Sequence, residues 1–260
     1  MKLSETGRRT ISFPDKYAAF RHHISMYMGL PGLRGLWTAG HTDTAGNWYD
    51  WTQNALTLTL TGAPAETYTD LRCYFSLDGT NDYFTRADDV ATSVTGSEGY
   101  IDFPYRGLTL GNWWYSTDAT AFQCLMSKFA AAPNVSYYLA FNGSGAGDPV
   151  RFRISDDGTN TDDVESSNTA AANQWHFTVG RFKDYDAGEE LAVFLDGVKT
   201  TAATARAAIY DGVSAFEMGS GEGGLYKLTG RLSVGFLCAF ALPDDMIGAL
   251  FQQSRALYGI

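Results

Sequence analysis

Short apolar runs separated by turn-forming dipeptides are the feature that most narrows the folds open to this chain of 260 residues. Residues 56–61 read Leu-Thr-Leu-Thr-Leu-Thr, so that in a strand the leucines would lie on one face and the threonines on the other. Asp-Gly, a dipeptide favoured in tight hairpin turns, occurs at 78–79, 157–158 and 196–197. Because such runs recur about every ten residues without helical periodicity between them, we expect an antiparallel β-sandwich.

The same pattern predicts where most strands lie. Further strands are predicted at residues 122–128, 137–142, 150–154, 175–182, 191–195 and 231–240. The composition, with 14% aromatic and only 18% charged residues, suits a large core enclosed by short strands. A short C-terminal helix is predicted to begin after Pro243, with Asp244 and Asp245 in its first turn, and to end near Arg255 and Gly259.

Residues 1–32 differ from the rest, and we treat them as an N-terminal arm that precedes one domain of residues 33–260. Apolar residues recur there at helical spacing, which predicts an amphipathic helix of about three turns. The arm residues expected to contact a partner are Tyr17, Phe20, Arg21, Ile24, Tyr27 and Met28. Their apolar stripe must be buried, either on the sandwich of the same chain or on a neighbouring subunit. Because symmetric assemblies often use arms, we favour docking on a partner protein and expect a homo-oligomer.

Charge is unevenly distributed along the chain. Residues 1–34 hold six Lys and Arg against two Asp and Glu, a net +4, whereas the rest holds 13 against 27, a net −14. We therefore expect the two parts to meet different surfaces, unless the short segment deviates by chance. The total of −10 argues against nucleic acid as a partner.

The sequence also bears on the compartment. No run approaches the ~18–20 apolar residues of a membrane span, and the first residues lack the apolar region of a signal peptide. We expect neither membrane insertion nor secretion by a signal peptide. Cys73, Cys124 and Cys238 lie within apolar runs, so we expect buried free thiols in a chain made in a reducing cytoplasm.

Three segments carry a family resemblance. Residues 75–84 read Phe-Ser-Leu-Asp-Gly-Thr-Asn-Asp-Tyr-Phe, and residues 174–179 (Gln-Trp-His-Phe-Thr-Val) and 191–198 (Leu-Ala-Val-Phe-Leu-Asp-Gly-Val) follow later. In this order and spacing they resemble the laminin-G-like branch of the concanavalin A-like lectin/glucanase superfamily, over roughly residues 33–260. The resemblance implies an all-β fold, a two-sheet antiparallel jelly-roll sandwich, used more often for binding and assembly than for chemistry.

A narrower resemblance involves the end of the arm. Residues 27–37 (Tyr-Met-Gly-Leu-Pro-Gly-Leu-Arg-Gly-Leu-Trp), together with residues 78–88, look like laminin-G-like proteins encoded among tailed-phage virion genes. This resemblance implies a capsid or tail protein, made in the host cytoplasm and located in the virion, whose partners are other virion proteins.

The sequence gives no support for catalysis. Glucanases of the superfamily use a strand bearing Glu-x-Asp-x-x-Glu, which places two carboxylates on one face. No Glu of this chain is followed by Asp two residues later. The adjacent Glu189 and Glu190 would point to opposite faces of a strand. We expect a protein that is not an enzyme; a glycosidase or lyase with an unfamiliar site is the remaining alternative.

Aromatic residues are the best candidates for sugar binding. Trp48, Tyr49 and Trp51 lie in a loop-like stretch beside Asn47 and Asp50. In a strand, one of the adjacent Trp113 and Trp114 would face outward. The residues predicted to stack on a sugar are Trp48, Tyr49, Trp51 and Trp114. The alternative is that these rings fill the core or a subunit contact, since aromatic side chains are enriched there too.

A cluster of acidic residues is the candidate calcium site. The predicted ligands are Asp156, Asp157, Asn160, Asp162 and Asp163. Calcium prefers six to eight oxygen ligands, which a loop rich in Asp and Asn can supply. The series lacks the spacing of an EF-hand, and a solvated acidic loop is the alternative that we favour.

Taken together, these observations predict a virion structural protein that is not an enzyme. Its N-terminal arm would anchor it to the capsid or tail, and its lectin-like jelly roll would be displayed for decoration or adhesion. The alternative is a soluble carbohydrate-binding lectin, with calcium as its one candidate cofactor. Cell-surface glycans are compatible partners under both hypotheses.

Overall fold

The computed structural model describes residues 24–69, 72–95, 106–143, 145–184 and 190–260. Within these ranges the chain forms two antiparallel sheets packed face to face, with a short helical segment at residues 24–28 and a C-terminal helix at Asp244–Tyr258. The predicted all-β jelly-roll sandwich is therefore confirmed.

The first sheet holds nine strands of the described chain. They are β1 (Leu33–Thr42), β2 (Trp48–Asp50), β4 (Ala65–Tyr68), β5 (Cys73–Asp78), β7 (Gly107–Ser116), β12 (Trp175–Lys183), β13 (Glu190–Leu195), β14 (Val198–Ala203) and β16 (Thr229–Cys238). Their order is β14-β13-β12-β7-β16-β1-β2, and the β4–β5 hairpin pairs with β16 through β5.

The second sheet holds seven strands of the described chain. They are β3 (Thr59–Thr61), β6 (Tyr83–Arg86), β8 (Phe122–Phe129), β9 (Val135–Asn142), β10 (Val150–Ser155), β11 (Thr161–Glu165) and β15 (Phe216–Met218). Their order is β11-β10-β9-β8-β15-β6-β3.

The main core lies between the two sheets. Side chains alternate along each strand, so that on β5 Phe75 and Leu77 are buried while Tyr74 is partly exposed. Trp37 of the first sheet stacks on Phe216 of the second, with ring centroids 5.4 Å apart. Burial of each such apolar side chain contributes about 1.5–3 kcal/mol to folding.

A second core covers the outer face of the first sheet. The C-terminal helix lies there over Trp113, whose ring stacks on Tyr258 at 3.9 Å and 7°. The Trp113 Nε1 donates to the Ser254 hydroxyl at 3.1 Å. Residues 24–30 pack on the same layer, and the Tyr27 ring lies 5.3 Å from Phe236. The sandwich thus has a third, helical layer on one side.

The predicted strands hold, with two of them shortened. Residues 122–128, 137–142, 150–154, 175–182 and 191–195 all fall on strands of the structure, and the strand predicted at 231–240 ends at residue 238. In the run 56–61, by contrast, only the last three residues form a strand. Leu56 and Leu58 are buried as the alternation predicts, but the Leu56 amide donates to the Asp50 carboxylate instead of a neighbouring strand.

The three Asp-Gly dipeptides form different connections. Asp196 and Gly197 both have positive φ, 52° and 83°, and close the two-residue hairpin between β13 and β14 as predicted. Asp157 and Gly158 lie in a longer hairpin loop between β10 and β11. The expectation of a hairpin at Asp78-Gly79 is wrong, because β5 and β6 belong to different sheets.

The end of the chain matches the sequence pattern. The helix follows Pro243 and ends at Gly259, whose φ of 78° lets its amide donate to the Arg255 carbonyl. The three cysteines are buried and free, as predicted. In the part of the chain that the structure describes, no helix has the length and apolar character needed to cross a membrane.

Candidate functional site

Three aromatic side chains, His41, Tyr49 and Trp51, form a cluster that we call the aromatic edge. His41 lies on β1, Tyr49 lies on β2, the last strand of its sheet, and Trp51 directly follows β2. The His41 ring stacks on Trp51, with centroids 3.9 Å and planes 25° apart, and lies 5.6 Å from the Tyr49 ring. Tyr49 is 38% exposed, and Trp51 and His41 are partly exposed. The cluster therefore presents aromatic surface to solvent.

The Trp51 ring is fixed in place. Its Nε1 donates to the Thr38 hydroxyl at 2.7 Å, and its backbone amide donates to the Leu36 carbonyl at 2.9 Å. The ring also packs against the core under the C-terminal helix. A ring already held in position loses little freedom when a ligand binds. Partly exposed rings that carry a polar group suit the apolar faces and the hydroxyls of a sugar.

For two of the four residues predicted to stack on a sugar, the prediction is wrong. Trp48 and Trp114 are fully buried between the sheets. Trp48 packs against Phe75 and Phe84 at 5.0 and 4.8 Å. Since adjacent residues of a strand point to opposite faces, Trp48 enters the core where Tyr49 faces outward.

The polar residues next to these rings in the sequence, Asn47 and Asp50, form hydrogen bonds within the protein. The Asp50 carboxylate is buried and accepts three backbone amides. Those amides belong to Leu36, Thr52 and Leu56, at 2.9, 2.9 and 3.0 Å. The Asn47 side chain donates to Asp43 at 2.9 Å and accepts the Leu60 amide at 3.0 Å. Both residues therefore shape the loop beside the aromatic edge.

The acidic loop predicted to bind calcium pairs with arginines. Asp156 and Asp162 both contact Arg206, at 2.9 and 3.4 Å. Asp163 contacts Arg153 at 2.9 Å. These two aspartates, at 162 and 163, are consecutive on β11, so their side chains point to opposite sides of the sheet.

Asp157 is engaged with its own turn. Its carboxylate accepts the amides of Thr159 and Asn160 and the side chain of Asn160. The side-chain hydrogen bond from Asn160 and these backbone bonds hold the pKa of Asp157 well below its usual range. Among the described residues no three acidic, His or Cys side chains converge as metal ligands. The structure thus does not bring the five predicted ligands together, and calcium binding stays a prediction.

The arm is described only from residue 24 onward, so Tyr17, Phe20 and Arg21 lie outside the described residues. Ile24 and Tyr27 are buried on the sandwich of the same chain, beside the C-terminal helix. Met28 is exposed and does not share this contact. The part of the arm that is described therefore packs in cis.

His176 and Asp196 form a histidine–aspartate pair, an arrangement that also occurs in catalytic sites. His176 Nδ1 lies 2.7 Å from the Asp196 carboxylate, whose other oxygen accepts the Phe177 amide. The second ring nitrogen, Nε2, lies 2.8 Å from the Ala171 carbonyl. Because both nitrogens are engaged, the ring has none left to take a proton from a nucleophile. The pair instead ties the turn after β13 to the start of β12.

The buried acid of the second sheet is Glu217 on β15. It is 2% exposed and accepts a 2.6 Å hydrogen bond from Ser220. Burial raises the pKa of Glu217, although the hydrogen bonds from Ser220 and from the amides of Gly224 and Gly223 act in the opposite direction. A substrate cannot reach this buried carboxyl, because the loop that follows β15 packs over it. Through these hydrogen bonds Glu217 holds that loop in place.

A family model described as the concanavalin A-like lectin/glucanases superfamily matches residues 78–234, more than half of the chain. A comparison with curated protein sequences finds no match. Among solved structures, domain 4 of AbnA, a GH43 extracellular arabinanase from Geobacillus stearothermophilus, in complex with arabinotriose, aligns with a TM-score of 0.60 and 15% identity. That alignment covers 85% of this chain and 98% of that domain.

Two toxin binding domains are also similar in structure. The binding domain of Paraclostridial Mosquitocidal Protein 1 aligns with a TM-score of 0.62 and 12% identity. The binding domain of Botulinum neurotoxin DC in complex with SialylT aligns with a TM-score of 0.59 and 11% identity. Each alignment covers 87% of this chain and 52% of the toxin domain, so the chain spans about half of those domains. At these identities the likeness shows a shared fold.

Proposed function

Because this chain belongs to the concanavalin A-like lectin/glucanases superfamily, we propose that it is a non-catalytic protein that binds a glycan at the aromatic edge. The observation that carries the proposal is the stack of His41 on Trp51, with Tyr49 exposed beside it. One structure with the same fold contains arabinotriose, which supports a saccharide as the ligand class.

The edge has features of a preorganised platform. Trp51 is held by Thr38 and by the core below it, so that a sugar meets a fixed ring. The phenol of Tyr49 adds a polar group beside an apolar ring. Leu58 bridges the outer edge of β2 at Trp48, so a ligand would meet the exposed faces of the rings and not the backbone of an open strand. Tyr49, the most exposed of the three rings, offers the first contact.

Two observations support a binding role without catalysis. The ring of His176 is engaged at both nitrogens. Glu217 is enclosed beneath the loop that follows β15. Neither group offers the pair of accessible carboxyl groups that glycoside hydrolysis uses.

The experiment is a glycan-array screen of the full chain, with arabinotriose included, followed by titration calorimetry on each glycan that binds. Tyr49→Ala and Trp51→Ala are each expected to weaken binding by about two- to tenfold, given the ~0.5–1.5 kcal/mol typical of aromatic contacts. Tyr68→Ala, at a tyrosine that is 52% exposed on β4, is the matched control and should bind like the wild type. Equal affinities for all four proteins would refute the proposal, and so would turnover of a bound glycan.

We propose as a second candidate that the protein is a virion component, on the observation that residues 1–34 carry +4 while the rest carries −14. A basic segment on an acidic body favours an acidic partner surface for that segment. The test is cosedimentation with virus particles, comparing the full chain with an Arg8→Glu, Arg9→Glu variant. Loss of cosedimentation in the variant supports this role, and equal or absent cosedimentation of both proteins counts against it.

A further inference from the structure

An arginine held between two tyrosines lies on the outer face of the first sheet. The Arg231 guanidinium lies 4.9 Å from the ring centre of Tyr74 and 4.5 Å from that of Tyr115. Arg231 belongs to β16, between β5 and β7, which carry the two tyrosines. All three side chains are partly exposed. Cross-strand stacking thus positions a cation at the surface without enclosing it.

The contact network extends to a second arginine. The rings of Tyr74 and Tyr115 both contact Trp175, at 5.7 and 5.8 Å. Arg72 lies over Trp175 at 5.4 Å, and its Nη1 donates to the Leu257 carbonyl at 2.8 Å. We call Arg72, Tyr74, Tyr115, Trp175 and Arg231 the arginine–aromatic patch. It places two positive charges beside one aromatic cluster, in which Trp175 is buried and the two tyrosines are partly exposed.

The patch differs from the other arginine sites in its lack of acidic partners. Six arginines of the described chain form ion pairs with Asp or Glu: Arg86, Arg106, Arg151, Arg153, Arg181 and Arg206. Neither Arg72 nor Arg231 forms an ion pair with a described residue. In a protein with a net charge of −10, two neighbouring guanidinium groups without carboxylate partners favour an anionic ligand.

The groups around Arg231 define what kind of anion fits. Its guanidinium makes no hydrogen bond with the described residues, so its planar fork of donors is open to a carboxylate. The hydroxyls of Tyr74 and Tyr115 likewise make none. Ser76 pairs directly with Arg231 across the strands and is partly exposed. One carboxylate and several hydroxyls, the functional groups of an acidic monosaccharide, would meet these groups.

We propose that the arginine–aromatic patch binds a carboxylate-bearing sugar, a sialic or a uronic acid, with Arg231 bonding the carboxylate. Arg72, whose Nη1 is already bonded, adds positive charge beside it. This inference extends the proposed glycan binding to a second site, and rests on it only in taking a saccharide as the ligand. A long polyanion is disfavoured, since the acidic body repels charge that extends beyond the patch.

The test is titration calorimetry of the full chain with sialyllactose, with a glucuronic acid disaccharide and with neutral lactose. At least one acidic sugar should bind at least tenfold more tightly than lactose, with an affinity that falls as salt rises. Which acidic sugar binds distinguishes the two sources. Equal affinities for acidic and neutral sugars, or no measurable binding of either acidic sugar, would overturn the proposal.

Variants distinguish a binding role of Arg231 from a purely structural one. Arg231→Gln should lose at least tenfold in affinity for the acidic sugar, and Arg231→Lys should retain part of it by keeping the charge. Arg255→Gln is the control, because Arg255 also lies over a ring, that of Phe251 at 5.5 Å, and forms no ion pair with the described residues. Unchanged affinity in Arg231→Gln, or an equal loss in Arg255→Gln, would contradict the assignment.

The same titrations distinguish this proposal from glycan binding at the aromatic edge. Tyr49→Ala and Trp51→Ala should leave the affinity for the acidic sugar unchanged, and Arg231→Gln should leave neutral-glycan binding unchanged. If no neutral glycan binds but the acidic sugar binds through Arg231, the aromatic-edge proposal fails and the patch stands. If Tyr49→Ala abolishes acidic-sugar binding, the patch is not the site.

Discussion

At the scale of single residues, the buried carboxylate of Asp50 is the strongest local determinant of the loop beneath the aromatic edge. Removing it leaves three amides without an acceptor, at about 1–3 kcal/mol each. We therefore predict that Asp50→Ala lowers the free energy of unfolding by about 3 kcal/mol or more, and Asp50→Asn by less, as measured by urea denaturation. Asp211→Ala, at an exposed aspartate, is the control. Equal stability of the two alanine variants would contradict this account of the loop.

Glu217 allows a prediction about pH. Burial raises its pKa above the ordinary value of 4.5, so the folded state keeps its proton to a higher pH than the unfolded state does. The stability that Glu217 contributes is therefore fully present below the unfolded pKa and is lost as pH rises toward the folded pKa. Between about pH 4 and about pH 7, wild type should lose free energy of unfolding relative to Glu217→Gln. If the free energy of unfolding of wild type stays constant or rises relative to that of Glu217→Gln over this pH range, the pKa of Glu217 is not raised.

Asp157 should behave in the opposite way. The hydrogen bond from the Asn160 side chain and those from backbone amides lower its pKa, so its contribution to stability is lost as pH falls toward the folded pKa. Relative to Asp157→Asn, wild type should therefore lose stability on acidification from about pH 5. Thermal denaturation at several pH values measures both residues by one method. The stability of wild type relative to each variant, plotted against pH, should have slopes of opposite sign for Glu217 and Asp157. Slopes of the same sign would show that one of the two pKa directions is wrong.

At the scale of elements, two glycines of positive φ separate backbone strain from steric conflict. A Cβ at Gly197 would lie 2.8 Å from Phe251 of the C-terminal helix, whereas a Cβ at Gly223 would meet nothing within 4 Å. We predict that Gly223→Ala costs about 1 kcal/mol through strain alone. Gly197→Ala should cost clearly more in the same urea titration, because its hairpin turn packs on the helix. Equal losses of stability in the two variants would contradict this prediction, since they would show that Phe251 accommodates the added methyl group.

The helical layer gives a second prediction for an element. Trp113→Ala removes the ring on which Tyr258 stacks and should destabilise the protein by about 3–5 kcal/mol. Amide exchange should accelerate most in the C-terminal helix. Leu225→Ala, at a leucine that is 66% exposed, should stay within about 0.5 kcal/mol of wild type. Unchanged exchange in residues 244–258 would contradict the role of the helix as a layer of the fold.

Strands and helix could be predicted because their signals are local. Alternation places Phe75 and Leu77 inward whatever the rest of the chain does. The sheet that the next strand joins is not a local property, which is why Asp78-Gly79 predicts a hairpin that the structure does not contain. Neither Trp113 nor Trp114 is exposed, although they point to opposite faces. Sequence alternation cannot show that a helix covers the outer face.

At the scale of the whole molecule, the candidate sites differ in how far they could be predicted. Tyr49 and Trp51 are close in sequence and were predicted as sugar-stacking residues, whereas the stacking of His41 between them depends on the pairing of β1 with β2. The arginine–aromatic patch draws on four strands and on residue 72. No spacing in the sequence indicates such a site, because its members meet only when the first sheet has formed.

The indole signals of the protein in a proton–nitrogen NMR titration test glycan binding at the aromatic edge most directly. The chain has six tryptophans, and five of them, at positions 37, 48, 113, 114 and 175, are buried. Trp51, partly exposed and bonded to Thr38, should therefore report on the edge. On titration with a glycan selected from the array, the account predicts a saturable shift of the Trp51 signal, with the buried indoles changing little. Saturable binding that leaves the Trp51 signal in place would contradict it.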